Sequence, residues 1–368
     1  MKIILHGATS GSNFGDFLFA DLFYNKLNNV NYNGENIFFE FSRFGIRSYF
    51  KKELNYTNKQ KFKDLRKADL LVLFSGGYFG EREGSLKENI LRFVRYVPIS
   101  FWFILRKKPI VISGVGGGPL TSKLLRKSMA FIMKKSLIVT VRDEQTKAYF
   151  KEYGVKRNII VTSDTAQTIT KSIIPPLDHS VENDIENTFS NKKKIFLHLY
   201  GKENIDNKII RKVIAPLNDF LSNNKDYGVV IGFDWKKNIE PIRNQLKGLI
   251  SCDTTYFYKY EDPWQFCSLL NNMNVIITPK LHVGIIGATF SKSVISLPMH
   301  REKTIRYYQQ IGESERCISL NDSTYNDVRE TLNKFHNKNI NLSKEILSMS
   351  EYNLKILEKI NSIINEKK

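Results

Sequence analysis

Short apolar runs closed by glycine, proline or polar clusters alternate along this chain with segments whose apolar residues recur at helical spacing. The run at residues 2–6 leads into a glycine-bearing loop and then FLFADLFYNKL. Residues 68–77 (ADLLVLFSGG), 108–120 (KPIVISGVGGGPL), 138–141 and 158–166 (NIIVTSDTA) repeat the strand, loop, helix order. Residues 173–193, with Pro175 and Pro176 just inside them, lose the alternation and read as a linker. The pattern restarts with KKIFLHLY, YGVVIGFD, TTYFYKY and NVIITP, each followed by a helical stretch, and residues 343–366 are apolar at helical spacing throughout. The expected fold is α/β: a Rossmann-like domain at 1–172, a linker at 173–193, a second Rossmann-like domain at 194–342 and a long C-terminal helix at 343–368.

Strand ends are where open parallel sheets bind ligands, so the residues there are the first candidates. In residues 274–312, Pro279 ends a strand and residues 281–288 open a helix, with Gly284 and Gly287 allowing close packing. Lys280 and His282 therefore stand at a strand C-terminus and a helix N-terminus, where free N–H groups and the helix dipole favour an anion. A second strand ends at Pro298, and the next helix carries Arg301, Lys303 and Arg306. In the N-terminal half, Gly76 and Gly77 close one strand, Gly114, Gly116, Gly117 and Gly118 another, and Arg142 with Asp143 a third; Asp164 sits at a corresponding end. Arg142 has two readings, a ligand for carboxylate or phosphate and an ion pair with Asp143 or Asp164. Asp16 likewise reads as a helix cap or a catalytic carboxylate. The first glycine loop does not match GxGxxG, so no dinucleotide fingerprint is present.

Composition sharpens this only in sign. The 368 residues carry 56 Lys and Arg against 37 Asp and Glu, a net charge of +19, which favours anionic partners. Abundant Lys, Asn and Ile offer biased codon usage as a second origin for the excess. Nucleic acid is the weaker partner, because the charge is dispersed and the aromatics fall within apolar elements. Three widely spaced cysteines without a CxxC pair suit a reduced, cytoplasmic protein. Met1 runs straight into a strand, so no signal peptide is expected. No His, Cys or carboxylate spacing suggests a metal site. His6, His179, His198, His300 and His336 lack the cationic setting of His282. The segment at 92–108, RFVRYVPISFWFILRKK, mixes aromatic and basic residues, and it reads either as a buried amphipathic helix or as an interfacial anchor through Phe101 and Trp102.

Taken in order, these landmarks resemble the polysaccharide pyruvyl transferase family. They are Gly11-x-Asn13-x-Gly15-Asp16, Ser75-Gly76-Gly77, Gly114-x-Gly116-x-Gly118-Pro119, Arg142-Asp143 before a helix closed by Gly154, Asp164, and Lys280-x-His282 followed by Pro298, Lys303 and Gly312. The family usually has arginine where this chain has Lys280, which keeps the charge and loses the bidentate fork.

The resemblance implies two Rossmann-like domains facing a cleft, the glycosyltransferase-B type, and transfer of pyruvate from phosphoenolpyruvate to two sugar hydroxyls as a cyclic ketal. It implies no cofactor. The acceptor is a sugar of a surface-polysaccharide precursor, polyprenyl-diphosphate-linked or nucleotide-linked, handled at the inner face of the plasma membrane. Arg142, Lys280, His282 and Lys303 are the expected donor site. His282 is the expected general acid toward the donor's methylene carbon, with Lys303 or Arg142 stabilising the departing charge and Asp16 or Asp164 accepting a hydroxyl proton. The acceptor falls to Asn13, Gly15, Asp16, Gly76, Gly77 and Gly116. Two rival readings stand beside this one: a nucleotide-sugar glycosyltransferase, and a basic scaffold protein without catalysis.

Overall fold

The computed structural model describes residues 2–8, 14–29, 36–38, 58–80, 86–199, 206–235, 240–298 and 301–360. Gly11 and Asn13 lie outside these residues. The chain forms two compact units, Met1–Thr168 with Lys344–Lys368, and Ile169–Ser343.

The first unit contains β1 (Ile3–His6), α1 (Phe14–Asn29), β2 (Asn36–Phe38), α2 (Asn58–Lys67), β3 (Leu70–Leu73), β4 (Gly76–Phe79), α3 (Leu86–Leu105), β5 (Ile110–Gly117), α4 (Lys123–Lys135), β6 (Ile138–Val141), α5 (Glu144–Glu152) and β7 (Ile160–Val161). The strands form one parallel sheet in the order β2-β1-β3-β5-β6-β7, with β4 also on β5. IILH and LLVL are buried along their whole length, as parallel strands covered on both faces must be. Two details differ from the sequence reading. α1 starts at Phe14, so Gly15 and Asp16 belong to its first turn instead of the preceding loop. The residues after Ser75 form β4, because Tyr78 stacks on Tyr96 at 4.3 Å and Phe79 meets Phe150 at 5.9 Å, which draws the segment onto the sheet.

The second unit begins with α6 (His179–Phe189), within the residues expected as a linker. Ile185 and Phe189 lie one turn apart and are both buried, enough apolar surface to fold a short helix onto the unit. Next come β8 (Lys193–His198), α7 (Asn207–Ile209), a π turn (Ile210–Ile214), α8 (Ala215–Asn223), β9 (Tyr227–Gly232), α9 (Glu240–Leu246), β10 (Thr255–Phe257), α10 (Pro263–Asn271), β11 (Val275–Thr278), α11 (Leu281–Thr289), β12 (Ser293–Ser296), α12 (Arg301–Gln310) and α13 (Tyr325–Phe335). The parallel sheet runs β10-β9-β8-β11-β12. Its direction of growth reverses between β8 and β11. That is the topological switch point, where a crevice opens beyond the strand ends.

The last helix, α14 (Lys344–Glu358), completes the first unit. Its Asn353 is fully buried: Oδ1 accepts from the Thr140 and Thr162 hydroxyls at 2.7 and 2.9 Å, Nδ2 donates to the Ser163 carbonyl at 2.9 Å, and its own carbonyl accepts from the Ser113 hydroxyl at 2.7 Å. One amide thus ties β5, β6 and the segment after β7 to the C-terminal helix. Gly114 makes room for it, since a Cβ there would come within 2.9 Å of the Asn353 side chain, and its φ of +65° suits glycine.

Candidate functional site

The switch point of the second unit gathers polar groups from three strand ends. His198 closes β8, Asp234 follows β9, and Thr278 closes β11. Their neighbourhood follows from register, because His198 pairs with Gly232 and Leu197 with Ile277. The His198 Nδ1 lies 2.7 Å from the Thr278 hydroxyl and its Nε2 lies 3.3 Å from Asp234 Oδ1. Asp234 Oδ2 is 3.7 Å from the Lys280 ammonium. Burial pushes the Asp234 carboxyl up, but His198 and Lys280 outweigh it and leave the group below the usual carboxylate range. A buried anion therefore holds a partly exposed cation. The lysine also lies over the Trp235 ring, 5.2 Å from its centre, which fixes it from a second side.

Lys280 is the N-cap residue of α11, with extended backbone and its N–H donating to the Thr278 hydroxyl at 3.1 Å. His282 is buried in the first turn. The helix sits deep because its glycines permit it. A Cβ on Gly284 would come within 2.6 Å of the Tyr308 hydroxyl, and one on Gly287 within 2.7 Å of Ile276. Lys280 and His282 thus both stand at a helix N-terminus beside a switch point, a setting that suits a phosphate or carboxylate. Lys303 is exposed in the first turn of α12, after β12, whose Ser296 pairs with Thr278.

Arg142 belongs to the first unit, where it follows β6 and is buried. Its Nη1 donates to Asp164 Oδ2 at 3.3 Å and its Nε lies 3.8 Å from Asp143 Oδ2. The guanidinium lies over Gly116, where a Cβ would come within 2.6 Å of Cζ, and near Gly77. Asp143 caps α5 through the Thr146 N–H at 2.7 Å, and the Gly117 N–H donates to the Thr146 hydroxyl at 2.9 Å. Burial raises the Asp164 carboxyl above its usual value, with Arg142 pulling the other way. The ion-pair reading of Arg142 thus describes the contacts it makes, and Gly116 is the glycine that accommodates it. Gly76 leads into β4, while Gly15 is buried and Asp16 partly exposed in the first turn of α1. The Asp16 charge helps to raise the phenols of Tyr78 and Tyr96, after burial as the main cause.

Sequence reasoning passed over His198 and left Asp234 unnamed. A signal was present, since both stand at the ends of apolar runs, KKIFLH and GVVIGFD. Among the described residues no cluster of His, Cys, Asp and Glu could hold a metal ion, and no helix is long and apolar enough to cross a membrane.

The fold is shared with solved UDP-sugar enzymes of the glycosyltransferase-B type. MnaA of S. aureus, in a co-structure with UDP, superposes with a TM-score of 0.65 at 13% identity over 99% of this chain and 96% of that one. The UDP-GlcNAc 2-epimerase of Methanocaldococcus jannaschii gives 0.63 at 14% identity, over 97% and 99%. The Neisseria meningitidis UDP-GlcNAc 2-epimerase bound to UDP-GlcNAc gives 0.57 at 14% identity, over 98% and 100%. No curated protein matches the sequence. The family pattern described as polysaccharide pyruvyl transferase matches residues 13–301, and by that match, over most of its length, the chain belongs to the polysaccharide pyruvyl transferase family.

Proposed function

We propose that this protein transfers pyruvate from phosphoenolpyruvate to a sugar of a surface-polysaccharide precursor, forming a cyclic ketal. The observation that carries the reading is the placement of Lys280 and the α11 N-terminus beside the β8/β11 switch point, within a chain of this family. Phosphoenolpyruvate presents a phosphate and a carboxylate. Lys280, Lys303 and the α11 N–H groups supply positive character for both. His282 donates a proton to the methylene carbon, and the adjacent carbon, now oxocarbenium-like, is attacked by a sugar hydroxyl that loses its proton. The carbon–oxygen bond to phosphate then breaks and phosphate leaves with the bonding pair, eased by Lys303. A second hydroxyl adds to the same carbon, its proton leaving on the phosphate, and closes the ketal. His198 touches no donor in this scheme: through Asp234 it positions Lys280. Asp16, partly exposed in the first turn of α1, accepts the proton of the attacking sugar hydroxyl.

Thermal melting with phosphoenolpyruvate, phosphate and UDP in turn tests the donor. At a hundredfold excess over Kd a ligand of the folded state adds about 2.7 kcal/mol. Phosphoenolpyruvate is expected to raise the melting temperature, Lys280→Ala to abolish the rise, and His282→Ala to keep it while ending acceptor-dependent phosphate release. Stabilisation by UDP alone would instead favour the nucleotide-sugar transferase reading.

A further inference from the structure

The helix α3 presents apolar residues to solvent. Leu86, Ile90, Val94 and Leu105 are 75%, 54%, 47% and 79% exposed. At about 100° per residue, Ile90, Phe101, Val94, Leu105, Pro98, Leu91 and Trp102 fall in one sector roughly 120° wide, in which Lys87 is the single polar residue. Elsewhere around the helix, Tyr96, Val97, Ile99 and Phe103 are buried in the core of the first unit. A surface helix normally carries polar residues outward, and a contiguous exposed apolar stripe marks an interaction face. The face continues onto α4, where the rings of Phe131 and Phe101 lie 5.3 Å apart and Leu124 is exposed.

Its surroundings are almost wholly basic. From residue 86 to 135 the only acid is Glu88, against eleven lysines and arginines, so these residues contribute +10 of the chain's net +19. More than half of the net charge thus falls on α3, α4 and the segment between them. Arg106 lies over the Trp102 ring at 5.4 Å and Lys135 over the Phe131 ring at 5.8 Å, so cations edge the apolar strip. α3 contains Pro98, and it fails the requirement for a membrane span.

We infer that α3 and α4 form a docking face that lies in the headgroup region of an anionic membrane, with the α3 stripe among the upper acyl chains and the basic residues on lipid phosphates. The occupant follows from both chemistries at once. A second copy would set two faces of like charge against each other. A nucleic acid would meet aliphatic side chains that neither stack on bases nor bond to them. A lipid surface matches the apolar centre and the basic rim together. The inference is independent of the donor, since it uses no residue of the proposed site. It also moves the contact from Phe101 and Trp102, which are partly buried, to Ile90, Val94 and Leu105.

Flotation with vesicles of phosphatidylcholine, alone or mixed with phosphatidylglycerol, tests it on the full chain. The wild type is expected to float with the mixed vesicles about tenfold more than with the neutral ones, and to be released by high salt. Two double variants at exposed positions, Ile90→Glu with Val94→Glu and Lys123→Glu with Lys127→Glu, should each reduce flotation about tenfold while keeping the wild-type melting temperature. A wild type that stays in solution with the mixed vesicles, or folded variants that float undiminished, would overturn the inference. So would a dimer in solution that the Ile90→Glu, Val94→Glu variant splits, because the stripe would then belong to a second copy.

Discussion

Lys292 stands just before β12, where burial first and then Lys171 and Lys194 bring its ammonium down from 10.5 to about 8. The folded protein therefore binds this proton less tightly than the unfolded chain. Stability rises with pH between about 8 and 10.5, and below that window the cost of the buried charge is present in full. Lys292→Met should stabilise the protein near neutral pH, with a gain that shrinks as pH rises through the window; urea midpoints of both proteins at about pH 7 and about pH 10 check this. An equal gain at both would mean that the side chain's shape, not its charge, is responsible. Gly116 offers a second test at this scale. Its added methyl meets the guanidinium of Arg142, which Asp164 holds in place, so Gly116→Ala should cost about 2 kcal/mol by overpacking. Gly118→Ala, whose methyl would meet Gly80 at 3.8 Å, should stay within about 0.5 kcal/mol. Chemical denaturation separates the two, and equal effects would count against the packing argument.

Elements explain why some assignments were legible. Strands such as LLVL and VIIT are continuous apolar runs in parallel sheets, and the proline or glycine after them marks their ends, so strand existence and the position of Lys280 could be read directly. β4 and α6 were not legible in the same way. Each is short and carries few apolar residues, and it forms because a neighbouring element receives those residues. α14 is the reverse case: its helical spacing is plain, but Asn353 on its buried face breaks the apolar stripe for a reason found in β5 and β6. Asn353→Leu leaves the Thr140 and Thr162 hydroxyls without this acceptor and the Ser163 carbonyl without this donor, for an expected loss of about 3 kcal/mol. A urea midpoint unchanged from wild type would show that the network contributes nothing net.

At the scale of the whole molecule, the chain leaves the first unit near Thr168, builds the second, and returns with α14 to finish the first. Ending the chain after Ser343 should therefore unfold the first unit and spare the second, whose core contains no residue of α14. Calorimetry would show one of two transitions lost; loss of both would make the second unit depend on the first. Periodicity and strand ends determined the class of fold and the two Rossmann-like halves, because each depends on a few neighbouring residues. Tertiary structure decided which polar residues meet. His198 and Asp234 are distant in sequence and become neighbours only through the pairing of β8 with β9, and Arg142 and Asp164 only through β6 and β7. Contacts of that kind arise from register and order in a sheet, which a local pattern of apolar and polar positions does not contain.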